Sequence, residues 1–316
     1  MISSLELARH CGISQGTVDR ALHNRPGVSA KTREKILRAA KQLGYRPHPA
    51  AREILTGQST TVGAILPTVN NVFFMDVFNR LGHWFSEQGL RLHFTPVENR
   101  QAFLEVLEEF ASRRYRLAVV IPPEDNIPVP QNLASALRIV SLISPCRGKG
   151  VDFLSPDEAE TGRDAVRYLH GQGHRRILHL TYDRPAYAIA ARAAGYKAQC
   201  REMELASKVL SSVDADRLAE TLRSFRPTAL FCHNDWMALR VQLILAAQGM
   251  RVPEDISILG VDDSPTLMAI HPGLTTLAYP VEKAVAAIGD VLAGRAASMA
   301  GERYQLVERT SVRNLV

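Results

Sequence analysis

The stretch Ser4-Leu-Glu-Leu-Ala-Arg-His-Cys-Gly-Ile-Ser-Gln-Gly-Thr-Val-Asp-Arg-Ala-Leu22 decides the fold of the first part of this chain. Its residues 4–11 predict a short helix, and Gly12 stands where a left-handed C-terminal cap belongs. Ser14 is placed to cap a second helix at 15–22. A helix, a short turn with glycine and a second helix together indicate a helix-turn-helix.

A third helix is predicted over 30–43, with Ser29 as its N-cap and Gly44 at its end. Apolar spacing at i, i+3 and i+4 predicts which side chains of the three helices face a common core. The core residues expected on this basis are Leu5, Ala8, Val18, Leu22, Ile36, Leu37, Ala40 and Leu43.

The positive charge of the chain is concentrated in this first part. Residues 1–60 contain ten Lys or Arg and four Asp or Glu, a surplus that equals the net charge of +6 for all 316 residues. The remaining residues contain 28 charges of each sign and are neutral overall. A basic module joined to a neutral body is typical of phosphate binding, although charge alone fits a solvated basic surface equally well.

The second helix is expected to enter the major groove of DNA with its N-terminal side chains on base edges. Gln pairs with adenine and Arg with guanine, whereas hydroxyl side chains suit phosphates. The alternative to DNA binding is a plain three-helix bundle with an exposed polar face. The residues predicted to contact DNA in this headpiece are Ser14, Gln15, Gly16, Thr17, Asp19, Arg20, Ser29 and Thr32.

These motifs resemble the headpiece of the lactose/galactose repressor family. The matching residues are Leu5-Glu-Leu-Ala, Gly12-Ile-Ser, Thr17-Val-Asp-Arg-Ala-Leu22, Val28-Ser-Ala-Lys-Thr-Arg-Glu-Lys-Ile36 and Leu43-Gly-Tyr-Arg-Pro47. Asp19 departs from the family, which usually has serine there. A carboxylate repels phosphates, so Asp19 is expected to accept a hydrogen bond from Arg20 or a cytosine amine.

A hinge is predicted over 47–60, between a headpiece at 1–46 and a body at 61–316 that binds effector and dimerises. Pro47 and Pro49 end the third helix, and 50–55 has helical propensity. The family resemblance implies a hinge helix that orders on operator DNA, with Leu55 wedged into the minor groove. Without that resemblance, Leu55 reads as an ordinary linker contact.

The body alternates strands with helices, which predicts parallel sheets covered on both faces. Strands are expected at 62–66, 92–95, 117–121, 139–143, 177–180, 229–232, 256–261 and 275–278, with helices at 74–88, 100–113, 157–172, 187–203, 234–248 and 280–294. Two series of strands suggest two lobes with a ligand cleft at the carboxyl ends. The predicted fold class is α/β: an all-α helix-turn-helix headpiece and a two-lobed, periplasmic-binding-protein-like body.

The body also resembles the effector domain of the same family, in motifs such as Pro67-Thr-Val-Asn-Asn-Val-Phe-Phe74, Ala191-Arg-Ala-Ala-Gly-Tyr196, Phe231-Cys-His-Asn-Asp235 and Val252-Pro-Glu-Asp-Ile-Ser-Ile-Leu-Gly-Val-Asp262. The residues that this resemblance places on the effector are Asn71, Phe73, Phe74, Arg192, Phe231, Asn234 and Asp262. Arg192 would hold effector hydroxyls or carboxylates, and Asp262 would accept effector hydroxyls. Phe73 also fits a core position.

Two departures limit the choice of effector. Where the family usually has an aspartate-asparagine pair entering the second lobe, this chain has Ser155-Pro-Asp157. Where the family often ends its fourth strand with aspartate, this chain has Ile143-Ser-Pro145. The resemblance implies a sugar or sugar derivative but not a named one.

Other classes of protein fit the sequence less well. No basic leader with an apolar run and no long apolar segment occurs, so we expect a cytoplasmic location and no membrane. The four cysteines are scattered, and neither a metal cluster, a nucleotide-binding loop nor a nucleophile with its base is evident, so no cofactor or enzyme activity is expected. A transport solute-binding protein would lack the basic headpiece. The sequence therefore predicts a transcription regulator, acting as a repressor, that binds operator DNA as a homodimer under the control of a small-molecule effector.

Overall fold

The computed structural model describes residues 2–22, 25–45, 59–68 and 71–316 of the chain. Its contacts divide the chain into a first unit that ends at Ser59 and a second unit that begins at Thr60. Leu55 and most of the expected hinge lie outside the described residues. Within the described ranges, no helix is long and apolar enough to cross a membrane.

The first unit contains α1 (Ser4–Cys11), α2 (Gln15–Leu22) and α3 (Ala30–Gln42), which lie within one residue of the predicted bounds. Gly12 ends α1 in the left-handed conformation, with φ of 67°, and Ser29 caps α3 by accepting from the backbone N–H of Thr32. Ser3 and Glu6 add a reciprocal capping box at the start of α1, which was not predicted.

The headpiece core differs in detail from the prediction. Ala8, Val18, Ile36 and Ala40 are buried as expected, but Leu5, Leu37 and Leu43 are exposed and Leu22 is half-buried. The buried stripe is completed instead by Leu7, Cys11, Ala21 and Ala39. The predicted period was correct, and the stripe is rotated by roughly one residue, which periodicity alone does not fix.

The second unit contains two parallel sheets. The strands of the first lobe are β1 (Thr61–Pro67), β2 (Arg91–Val97), β3 (Leu117–Val120), β5 (Arg138–Leu142) and β7 (Val151–Leu154), in the order β2-β1-β3-β5-β7. The short β4 (Ile127–Pro128) and β6 (Cys146–Arg147) pair beside this sheet. Its helices are α4 (Val72–Glu87), α5 (Arg100–Ser112) and α6 (Gln131–Ala136).

The second lobe has the strands β8 (Arg176–Thr181), β9 (Ala206–Ser211), β10 (Ala229–Cys232), β11 (Ser257–Asp262), β12 (Thr275–Ala278) and β13 (Gln305–Val307). They lie in the order β13-β12-β11-β10-β8-β9, with β13 antiparallel. Its helices are α7 (Glu158–Gly171), α8 (Tyr187–Glu202), α9 (Ala215–Phe225), α10 (Asp235–Ala247) and α11 (Pro265–Met268). A further helix, α12 (Val281–Leu292), returns to pack on α4 of the first lobe. The predicted α/β class with two lobes is confirmed.

The strand order fixes where a ligand site can form. In the first sheet, the direction in which successive strands are added reverses between β1 and β3. In the second sheet, the same reversal of strand order lies between β8 and β10. Ligands of open α/β sheets bind outside the carboxyl ends of the strands at such reversals. A ligand site is therefore expected among the loops that follow these strands.

Candidate DNA-binding surface and effector cavity

The side chains predicted to read DNA lie on the accessible part of α2. Ser14, Gln15, Gly16 and Arg20 are exposed, and Thr17 is half-buried. Ser14 caps the helix, because its Oγ accepts the Thr17 N–H at 3.2 Å. Arg20 Nη2 donates to Thr17 Oγ1 at 3.3 Å, which leaves most of its donors accessible. The surface can therefore offer amide, hydroxyl and guanidinium groups to a DNA duplex.

For Asp19 the structure shows a partner, Arg25, that was not among the expected ones, and the contact with a cytosine amine stays a prediction. Oδ2 of Asp19 lies 3.1 Å from Nη1 of Arg25, which follows α2 in the chain. The contact shows that the carboxylate already offsets one nearby cation of the headpiece.

Ser29 and Thr32 lie together at the N-terminus of α3. Their hydroxyl oxygens are 2.8 Å apart, with Ser29 exposed and Thr32 half-buried. Hydroxyl groups and free N–H groups at a helix N-terminus suit a phosphate oxygen.

The body contains a cavity of about 260 Å³ between its two lobes. Most of the cavity wall comes from the carboxyl ends of strands and the loops that follow them, and the rest comes from the first residues of α4, from α8 and from Tyr304. Its lining residues are Pro67, Asn71, Phe73, Phe74, Ile121, Pro122, Pro123, Glu124, Asp125, Ile143 and Ser144 from the first lobe, and Tyr182, Arg184, Pro185, Ala186, Tyr187, Ala188, Ile189, Arg192, His233, Asn234, Asp262 and Tyr304 from the second.

Arg192 lies in the cavity wall at the centre of a buried network. Its Nε donates to Glu158 Oε2 at 2.6 Å and its Nη1 donates to the His233 carbonyl at 2.5 Å. Its Nη2 donates to the Tyr304 hydroxyl at 2.8 Å, and that hydroxyl donates to Glu158 Oε1 at 3.0 Å. Burial, the largest single effect, lowers the pKa of Arg192, but Glu158, Tyr304 and Asp262 together outweigh it and the net shift of the pKa is upward. The charge of Arg192 is therefore compensated within the protein.

Close packing of α7 on α8 brings Glu158 and Arg192 together. A Cβ on Gly195 would lie 1.8 Å from the Ala159 carbonyl oxygen, and a Cβ on Gly162 would lie 2.2 Å from that of Arg192. Only glycine allows the two backbones to approach this closely. These two glycines thus position the ion pair that forms one cavity wall.

Asp262 is a buried carboxylate of the cavity wall for which the described residues supply no hydrogen-bond donor. It ends β11 with φ of 116° and is buried, yet its side chain makes no hydrogen bond with any described residue. Burial raises the pKa of Asp262 well above its usual range, although Arg192 opposes the shift. A buried acceptor without a donor is costly, so the group is suited to accept a hydrogen bond from a ligand.

Asn71 and Asn234 are the N-caps of α4 and α10. Asn71 Oδ1 accepts the Phe73 N–H at 3.2 Å at the start of α4. Asn234 Oδ1 accepts the Met237 N–H at 2.9 Å and the Tyr182 hydroxyl at 3.0 Å. The Nδ2 of each amide makes no hydrogen bond with a described residue and can donate to a ligand that enters the cavity.

The aromatic predictions have mixed outcomes. Phe74 lines the cavity, and Phe73 both lines it and packs in the core against Tyr279, with ring centroids 5.3 Å apart. Phe231 does not line the cavity, so that prediction was wrong. Phe231 is fully buried in β10, because its side chain points toward the helix-covered face of the sheet. Its ring stacks on the His179 ring, with the ring centroids 4.5 Å apart.

The structure adds cavity residues that the sequence reasoning missed, among them Asp125, Tyr182, Arg184, His233 and Tyr304. Burial lowers the pKa of His233 well below its usual range, and Arg192 adds to this effect, so the imidazole is neutral. His233 precedes Asn234 in the motif Phe231-Cys-His-Asn-Asp235, so its position directly after β10 could have identified it as a cavity residue. Tyr304 follows the last helix and had no such signal.

The family to which the chain belongs is decided by two regions of similarity. Residues 5–48, which contain the helix-turn-helix, match the bacterial regulatory proteins of the lacI family. Residues 166–313 match the periplasmic binding protein-like domain. The chain belongs to the LacI family. No described group of His, Cys, Asp and Glu is arranged to hold a metal ion.

Relatives of this LacI-family chain are repressors rather than enzymes, as the sequence predicted. The chain is 25% identical to the HTH-type transcriptional repressor PurR of Vibrio atlanticus, over 100% of both chains. It is 27% identical to the repressor CytR of Escherichia coli, over 87% of this chain and 84% of CytR. Its fold is similar to the lac repressor dimer bound to operator and the anti-inducer ONPF, with a TM-score of 0.79, 20% identity and 99% of each chain covered.

Proposed function

We propose that the chain represses transcription by binding a near-palindromic operator as a homodimer, and that a small molecule bound between the lobes controls this binding. The observation that carries the proposal is a basic helix-turn-helix joined to a body with a polar cavity at the strand reversals. Its LacI-family relatives are transcriptional repressors. We further propose that it acts in the cytoplasm, where its DNA target is accessible.

On the DNA, we propose that Gln15 and Arg20 read base edges while Ser14, Thr17, Ser29 and Thr32 hold phosphates. Gly16 would allow the backbone of α2 to approach the duplex, and Leu55 of the proposed hinge 47–60 would enter the minor groove. The headpiece is proposed to span 1–46 and the effector and dimerisation domain 61–316.

A gel-shift titration tests this proposal on DNA from upstream of the chain's own coding region. We expect the full chain to shift the fragment, and a variant that lacks residues 1–58 to leave it unshifted at the same concentrations. Equal binding by the two proteins would contradict the proposal, because the body would then carry the affinity.

Replacement of Asp19 by Asn is expected to tighten binding to any DNA and to weaken discrimination between sequences. The change removes a negative charge and frees Arg25 for a phosphate. One additional phosphate contact steepens the slope of log affinity against log salt by about 1. Fluorescence anisotropy with operator and scrambled duplexes over a salt series measures both effects.

Asp214→Asn is the matched control for the Asp19 variant, since it makes the same change of charge in the body. Its salt slope should equal that of the unmodified chain. An unchanged slope for Asp19→Asn would show that this carboxylate lies away from the DNA.

For the effector, we propose a small, uncharged molecule with several hydroxyl groups, such as a single sugar ring. The cavity of about 260 Å³ is smaller than the roughly 300–1,000 Å³ of sites for drug-sized ligands. In its wall Glu124 and Asp125 outnumber Arg184, since Glu158 already neutralises Arg192. A negatively charged ligand would therefore be repelled, whereas hydroxyl groups can donate to Asp262.

A thermal-shift panel of neutral monosaccharides and the corresponding sugar acids tests this effector class. Ligands that bind only the native state raise the melting temperature with concentration. We expect shifts from one or more neutral sugars and none from their acids. Shifts confined to the acids would contradict the proposed class without affecting the DNA-binding proposal.

A further inference from the structure

Two carboxylates of the first lobe reach across the cleft to the N-termini of helices in the second lobe. Asp125, from the loop between β3 and β4, accepts the backbone N–H of Tyr187, the first residue of α8, and the hydroxyl of Ser144. Asp76, from α4, accepts the hydroxyls of Ser264 and Thr266 and, at 3.4 Å, the Thr266 N–H at the start of α11.

The Asp125 contact replaces a cap that the second lobe does not provide for α8, whereas α11 has its own N-cap in Ser264, whose Oγ accepts the Leu267 N–H at 3.4 Å. Ala186 stands at the N-cap position of α8 and has no side-chain acceptor. By contrast, α9 and α10 are capped by Asp214 and Asn234, the residues immediately before them. The first N–H groups of a helix need an acceptor, and negative charge is favourable there. For α8 the acceptor comes from the opposite lobe.

Each of the two contacts borders a cavity between the lobes. Asp125 lines the main cavity, Asp76 lines a second cavity between the lobes, and Asp262 lines both. Each contact also involves an element that carries a cavity group. Arg192 belongs to α8, and Ser264 follows Asp262 by two residues through a turn with positive φ at Asp262 and Asp263.

We propose that Asp76 and Asp125 are a double latch that holds the cleft closed from the first lobe, because Asp76 accepts hydrogen bonds from Ser264 and Thr266 at the start of α11 and Asp125 accepts the first N–H of α8. A movement that separates the lobes breaks both contacts together and exposes both helix N-termini to water. A ligand that fixes Arg192 and Asp262 in the closed arrangement favours both latches. The inference rests on the proposed function only in treating the cleft as the regulated site.

Hydrogen exchange by mass spectrometry on the full chain, without DNA or ligand, tests the latch. In Asp125→Ala we expect amide exchange to accelerate by about fivefold or more in peptides that cover 186–190 and also in peptides that cover 264–268. Asp76→Ala should accelerate exchange in the same two regions. Reciprocal effects distinguish a latch from two independent caps, because opening the cleft breaks both contacts.

Asp214→Ala is the matched control, since it removes a cap that lies within the second lobe. It should accelerate exchange near 214–218 and leave the two latch regions unchanged. The proposal would be overturned if Asp125→Ala accelerated exchange only at 186–190 and Asp76→Ala only at 264–268. If an alanine variant does not fold, Asp125→Asn keeps an acceptor of the same size, and weaker but still paired acceleration is expected. Because the measurement needs no operator, failure of the latch and failure of DNA binding are distinguishable.

Discussion

Replacement of Arg192 by Ala is expected to lower the free energy of unfolding of the body by about 3–5 kcal/mol. The Arg192 side chain is 4% exposed and that of Glu158 is fully buried, with 2.6 Å between Nε and Oε2. Without the guanidinium, the Glu158 carboxylate keeps the Tyr304 hydroxyl as a donor but remains a buried charge without a counter-ion. The His233 carbonyl also loses its donor.

Urea denaturation followed by tryptophan fluorescence measures this loss. The two tryptophans, Trp84 and Trp236, both lie in the body, so the signal reports on the unit that contains the network. An unfolding free energy equal to that of the unmodified chain would contradict the prediction and show that the ion pair contributes little.

A double variant, Glu158→Leu with Arg192→Met, separates the buried charge from the lost volume. Apolar side chains of similar size often replace a buried ion pair without loss of stability. We expect the double variant to recover most of the loss. If it is as unstable as Arg192→Ala, packing rather than the unpaired carboxylate explains the effect.

The local features of the headpiece could be predicted because they depend on neighbours in sequence. Gly12, Ser14 and Ser29 act within a few residues along the chain, and the bounds of α1 to α3 follow from them. The exposure of Leu5 and Leu37 could not be predicted in the same way. Which side of an amphipathic stripe is central depends on how three helices meet, and that is a tertiary property.

The candidate cavity was predicted in part. The family resemblance pointed to Arg192 and Asp262, and the structure places both in the cavity wall. The partners of Arg192, however, lie 34 and 112 positions away in sequence, at Glu158 and Tyr304. Phe231 was wrongly assigned because alternation along β10 directs its side chain to the core, while the loop after β10 lines the cavity.

The aspartate that the family often has at the end of its fourth strand is absent after β5 of this chain. The structure shows a nearby carboxylate that the sequence did not reveal. Ser144 occupies that place, and its hydroxyl donates to Asp125 from a different loop. The acceptor is therefore present near the cavity but comes from another part of the chain. A pattern of spacings along one segment cannot reveal such an exchange between loops.

Replacement of Asp262 by Asn is expected to weaken effector binding by about tenfold while operator binding stays intact. Hydrogen bonds to a charged acceptor are worth about twice those to a neutral one, so the amide retains part of the interaction. Asn also tolerates the positive φ of this position better than Ala does. Gel shifts with each neutral sugar found in the thermal-shift panel measure the concentration at which operator affinity changes.

Asp263→Asn is the matched control for this variant. Asp263 also has positive φ, but its carboxylate is paired with Arg309 at 2.8 Å and does not line the main cavity. Its effector response should remain within about twofold of normal, well below the change of about tenfold expected for Asp262→Asn. Equal losses in the two variants would indicate that the turn, and not the Asp262 carboxylate, is what the effector requires.

The same carboxylate predicts a pH dependence of effector binding. Burial raises the pKa of Asp262 in the free protein, so it holds a proton at pH values where an exposed aspartate is ionised. Hydroxyl groups that donate to the carboxylate favour its ionised form, and effector binding therefore releases a proton. Affinity should increase with pH up to the raised pKa and then become constant, whereas Asp262→Asn should lack this dependence. Titration calorimetry in two buffers of different ionisation enthalpy counts the proton, and the absence of proton release from the unmodified chain would contradict the role of Asp262 as the acceptor.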